Sequence, residues 1–204
     1  MKENKVITWE KCAGAASMAL AISLAMAPAA SADLLIVPTF DASITGNANA
    51  TNIEGAINSA IGTIDGLYGN PVTLDVTFTY NPAAAGDLLS TSQDYYDETY
   101  ANYIALLTAD SVANPGNTVL ATAIANLGKG NDANGREDVA VAGGQLTMLG
   151  VSAAGNAVIN IASNQTFDFS RPVAPGDFDA IGGLEHELNE VLGGGGGGST
   201  LNSV

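Results

Sequence analysis

Histidine, cysteine and tryptophan each occur once in these 204 residues, and only six residues are basic. Cys12 and Trp9 both fall in the first 32 positions, a stretch that reads as a cleaved leader. With no cysteine beyond it, no disulfide framework can brace the remainder. Past the leader the basic residues are Lys129, Arg136 and Arg171, against nineteen acidic ones. So acidic a chain repels nucleic acid and anionic lipid, which excludes both as partners. The acidity suits solubility outside a cell, and most of it needs no other explanation; it also suits divalent cations.

Long apolar runs are scarce too. The longest, Ala13 to Ala27, follows Lys2, Lys5 and Lys11 and precedes Ala30-Ser31-Ala32. A basic start, a short alanine-rich apolar run and an A-x-A site make a secretory signal peptide, cut before Asp33 and too short to favour a spanning helix. Residues 1–32 are therefore expected to be a signal peptide, and the protein to be secreted, with no membrane attachment after cleavage. The rest is long enough for one domain with its own core, 33–192, followed by a glycine-rich tail, 193–204.

Leu34 to Val37 predicts a buried first strand ended by Pro38. Thr51-Asn52-Ile53-Glu54 has the capping-box pattern, and Ile53, Ile57, Ile61 and Ile64 then recur at helical spacing toward Gly69-Asn70. Val72, Leu74, Val76, Phe78 and Tyr80 alternate with polar residues, the pattern of a half-exposed strand. Ala83 to Ser92 reads as a loop. Tyr96, Tyr100 and Tyr103 predict a helix over Asp94–Ala109; a tyrosine beside a metal can steady an oxyanion, but such a stripe more often packs a core. A second short helix is expected over Thr118–Leu127. The loop from Gly128 to Asp138 carries Asp132, Asn134 and Asp138, oxygen ligands of the kind that hold calcium, but without EF-hand spacing; plain surface is the stronger reading. Val139–Ala142 and Asn156–Ala162 read as strands and Gln145–Leu149 as a helical turn. Ser163 to Gly176 reads as a loop.

The chain's chemistry concentrates in Asp177–Gly193, DFDAIGGLEHELNEVLG, which contains the single histidine. On a helix with His186 at zero, Ile181, Leu184, Leu188, Val191 and Leu192 fall at about 140–240°, while Asp179, Glu190 and Glu187 fall at about 20°, 40° and 100°. The histidine thus stands with carboxylates, away from the apolar stripe. In an HExxH helix the first and last residues bind zinc and the glutamate between acts as general base. Here Glu190 takes the last position, and a carboxylate oxygen is an acceptable zinc ligand. The candidate site is therefore His186 and Glu190 as metal ligands and Glu187 as base, provided that imidazole and acid share one hollow. A solvated acidic face is the plainer alternative. Gly182 and Gly183, on the histidine side, point to a close approach by another backbone or a ligand, because glycine inside a helix costs about 1 kcal/mol relative to alanine. Asp177 is placed to cap this helix. The six glycines from Gly193 onward end it, either as a flexible linker or as a sharp turn behind the ligands.

Leu35 to Asp41 with Ser43-Ile44, the helix Thr51–Leu67, the strand Val72–Phe78, the tyrosine-rich helix and the run Asp179 to Gly193 together resemble a family of bacterial secreted zincin-like metalloproteases. The resemblance spans most of the chain after residue 32. It implies an α/β (α+β) fold, a mixed sheet with packed helices, and a hydrolase that cuts a polypeptide substrate with zinc. It also implies a cleft-lining strand before the active helix, for which Asn156–Ala162 is the candidate. Two departures stand out: glutamate replaces the second histidine, and the third-ligand position of metzincins is Gly196. Proteins of this kind commonly continue past the glycines, some to a PEP-CTERM sorting tail, so the chain is expected to be a C-terminally truncated fragment. A non-catalytic secreted structural or adhesion module on the same scaffold is the rival expectation.

Overall fold

The alternation at Leu74, Val76 and Phe78 turns three large side chains to one side of a strand, and these become the middle of the core. In the computed structural model, residues 34–128, 130–131, 135–152 and 157–194 are described. Strand β1 (Leu35–Phe40) leads through a short helix, α1 (Ala42–Thr45), to α2 (Ala50–Asp65) and then to β2 (Thr73–Asn81). Next come β3 (Leu89–Ser92), β4 (Tyr95–Thr99), α3 (Tyr100–Ala113), α4 (Thr118–Asn126), β5 (Asp138–Ala142) and α5 (Gly143–Met148). Strands β6 (Ala157–Ala162), β7 (Phe167–Asp168) and β8 (Phe178–Asp179) precede α6 (Ala180–Val191). The fold is mixed α/β, as expected.

The main sheet runs in the order β1-β2-β6-β3. Its first three strands are parallel, and β3 runs antiparallel to β6 at the outer position. Helices α2 and α6 lie side by side against it, α2 toward β1 and α6 toward β3. Ile53, Ile57, Ile61 and Ile64 of α2 and Leu184, Leu188 and Val191 of α6 close over Ile36, Leu74, Val76, Phe78, Ile159 and Ile161. At about 25 cal/mol per Å² of apolar surface removed from water, this burial is the main force holding helices to sheet. The opposite side of β2 and β6 is polar, with Thr79 donating to Asn160 at 2.7 Å.

Four local expectations change. Strand β1 passes through Pro38, which pairs in register with Val76. It is an outer strand, where a missing N–H is tolerated, and Leu35 and Val37 are exposed rather than buried. The capping-box threonine lies inside α2, whose N-cap is Asn49 with no side-chain cap hydrogen bond. The tyrosine-rich helix begins only at Tyr100, because Tyr95–Thr99 pairs antiparallel with β5; Thr99 caps it by accepting from the Asn102 N–H. Of its tyrosines Tyr100 is buried, and Tyr103 receives a hydrogen bond from Gln145. The fourth change is β3 itself, a strand within the expected loop. Helix α4 has no buried residue.

Asp138 opens β5 opposite Thr99, whereas its two companions in the calcium reading, Asp132 and Asn134, lie outside the described residues. So do the signal peptide of residues 1–32, Gly196 and the tail beyond Gly194. Among the described residues, no helix is long and apolar enough to cross a membrane.

Candidate metal centre on the last helix

Helix α6 starts later than the sequence suggests. Phe178 and Asp179 pair as β8 with β7, which keeps the chain extended past Asp177. The cap is Asp179, whose carboxylate accepts from the Gly182 N–H at 3.0 Å. Arg171 donates to the same carboxylate and to Glu185. Burial pushes the Asp179 carboxyl up, but the Gly182 N–H and the Arg171 guanidinium outweigh it and hold it below its ordinary range. At the other end Gly193 has φ +83°, a conformation that favours glycine, and its N–H returns to the Glu190 carbonyl at 2.9 Å.

One face of the chain from Leu89 to Gln93 meets one stripe of α6. Leu89, Thr91 and Gln93 alternate along the strand direction and face Gly183, Glu187 and Glu190, which are spaced i, i+4, i+7 on the helix. At Gly183 a Cβ would stand 2.5 Å from Leu89 Cδ1, so this glycine is where β3 closes on the helix. A close approach was expected at the glycine pair; the approaching group is a leucine side chain. At Gly182 the neighbours are Asp179 and Arg171. Thr91 Oγ1 donates to Glu187 Oε2 at 2.6 Å, and Gln93 Nε2 donates to the Glu190 carbonyl at 2.8 Å.

Glu187 is therefore not on a solvated face. It is 7% exposed and is the buried charged residue among the described ones. Burial raises its carboxyl above the ordinary range, helped by the nearby Glu190 and opposed by the Thr91 hydroxyl and His186. A carboxylate held this way is a stronger proton acceptor than one in water.

His186 Nε2 and Glu190 Oε1 stand 3.3 Å apart, with side-chain exposures of 68% and 24%. The helix brings the two predicted ligands together, but the imidazole stands in solvent and not in the shared hollow that the reading requires. Donors of a tetrahedral zinc at about 2.0–2.2 Å are themselves roughly 3.3–3.5 Å apart, so spacing and donor chemistry suit that metal. Among the described residues, no group of three His, Cys, Asp or Glu side chains is placed to hold a metal. They supply two donor side chains, His186 and Glu190, and a neighbouring buried carboxylate, Glu187.

The strand beside this site is β3, not Asn156–Ala162. Strand β6 is interior, paired with β2 on one side and β3 on the other. Leu-Ser-Thr-Ser has no strong strand signature, and nothing in its residue types shows that it lies against α6. Thr91 and Gln93 were missed for that reason.

Compared with protein-family models, with curated proteins and with solved structures, the chain shows no match.

Proposed function

We propose that the protein is a secreted zinc-dependent peptidase. The observation that supports this most is the juxtaposition on α6 of an imidazole–carboxylate pair 3.3 Å apart with a buried carboxylate at the adjoining residue. An acidic surface face has no reason to bury Glu187. In this reading His186 and Glu190 hold the metal, and a third donor comes from outside the described residues, since catalytic zinc usually has three. Bound zinc supplies Lewis acidity, which makes water nucleophilic near neutral pH and polarises a peptide carbonyl. Glu187 takes the proton from the attacking water and passes it to the leaving amine. Thr91 keeps one oxygen of Glu187 occupied, which leaves Oε1 for that proton.

The test is zinc stoichiometry after equilibration with the metal at neutral pH, together with casein cleavage. Wild-type protein is expected to retain one zinc and to cleave; His186→Ala and Glu190→Ala are expected to lose the metal. A metal-free wild type, or a Glu187→Ala variant as active as wild type, defeats the reading.

The two-donor set and the open side of His186 favour a second reading, a non-catalytic secreted structural or adhesion module on the same scaffold. Zinc retained without turnover on any protein substrate supports it.

A further inference from the structure

The segment just past β3 carries a side chain that reaches across to the last turn of α6. Gln93 Nε2 donates to the Glu190 carbonyl at 2.8 Å and lies 3.2 Å from the Tyr95 hydroxyl oxygen. Its Oε1 is buried and has no hydrogen-bond partner among the described residues. Turning the amide over would set its oxygen against the Glu190 carbonyl oxygen, so the orientation is determined.

The last four carbonyls of a helix lack partners within it, and that of Glu190 lies in this set. It receives two donors, the Gly193 N–H from its own chain end and the Gln93 amide from across the gap. The first moves with the helix end; the second ties that end to the sheet through β3, which is paired to β6.

We propose that Gln93 is a positioning residue for the metal ligand Glu190: its amide anchors the final turn of α6 to the edge of the sheet and so keeps Glu190 on the helical face it shares with His186. The proposal rests on the zinc reading for its consequence, but the anchoring itself does not. Residues that orient metal ligands typically change affinity by about 10–100-fold when removed. Thr91 makes the parallel contact one helical turn earlier, and it addresses Glu187 instead of a ligand.

The experiment compares the full chain with Gln93→Met, which keeps the length and loses both amide groups, and with Ser92→Ala as a neighbouring control. Zinc affinity is read by competition with a chromophoric chelator, and amide hydrogen exchange is read at Leu192 and Gly193. Gln93→Met is expected to weaken zinc about tenfold and to speed exchange at those two amides, with Ser92→Ala unchanged. Zinc affinity equal to wild type in Gln93→Met overturns the proposal, whatever happens to stability. If the wild type itself takes no zinc, the peptidase reading fails separately, and exchange decides the anchoring: faster exchange in Gln93→Met upholds it, and unchanged exchange overturns it. Should Gln93→Met fold poorly, Gln93→Leu serves in its place, since it removes the donor without adding a charge.

Discussion

Helices α2 and α6 lie on the same side of one sheet and present similar apolar stripes, yet they are built differently where they leave that stripe. In α2, Ile and Ala fill every buried position, and a Cβ at Gly55 or Gly62 would meet nothing within 4 Å. Its two glycines are concessions in helix propensity and no more. In α6 the buried set includes Glu187, and Gly183 is pressed by Leu89. Both helices bury apolar surface; only α6 also buries a carboxylate and admits a strand at close range. A helix that only packs has no reason to do either, because an uncompensated buried charge is costly. The contrast singles out α6 as the place for the proposed chemistry without reference to any motif.

The sharpest way to break that contrast is to neutralise the carboxylate. Glu187→Gln should lower peptide hydrolysis by about 10²–10⁴-fold, the usual worth of a general base. It should also make the fold more stable at pH 7. The folded-state carboxyl titrates higher than the unfolded one, so its contribution to stability is fully present below the unfolded pKa and is lost as pH rises through the folded one. Urea unfolding should therefore show the variant ahead of wild type at pH 7, with the difference shrinking as pH falls into the ordinary carboxylate range. A variant no more stable at pH 7 than at pH 4, relative to wild type, would deny that burial governs this group.

Ile57→Ala in α2 should do the reverse, costing about 2–5 kcal/mol of stability while leaving the His186–Glu190 pair intact. Urea melts measure the first effect and zinc affinity at a temperature well below unfolding measures the second. Gly55→Ala is expected to stabilise by about 0.4–1 kcal/mol with no change in any activity. The smallest change is Gly183→Ala, which sets the helix gain of about 1 kcal/mol against crowding by Leu89. Leu89 must give way at the end of its side chain, so a smaller gain than at Gly55 is expected, and it should grow when Gly183→Ala is made in a Leu89→Ala background; additive effects in that cycle would remove the contact. The same substitution is thus worth less in α6 than in α2.

The parts of the fold that local pattern announces are those whose side chains are sorted by one interface. Isoleucines at helical spacing place α2, and strict alternation places β2. The hundred-degree turn per residue puts His186 and Glu190 on one face wherever that turn of helix is formed. Boundaries are harder because capping chemistry is abundant in a chain rich in Asp, Asn and Thr. Asp177 and Asp179 are equivalent as caps until β7 takes Phe178 and Asp179 into a strand pair. Thr51 loses its role because the chain already turns helical after Asn49.

From residue order alone came the amphipathic helices, the central strand, the absence of disulfide bracing, and the pairing of one imidazole with one acid a helical turn later. These depend on neighbours within a few residues, which the backbone geometry brings together in any surroundings. Tertiary structure decided that Leu89–Ser92 is a strand, that it lies against α6, and that Glu187 is buried under Thr91 while His186 faces open solvent. Those outcomes need segments remote in sequence to meet, and the burial that sets a carboxylate's proton affinity exists only once they have.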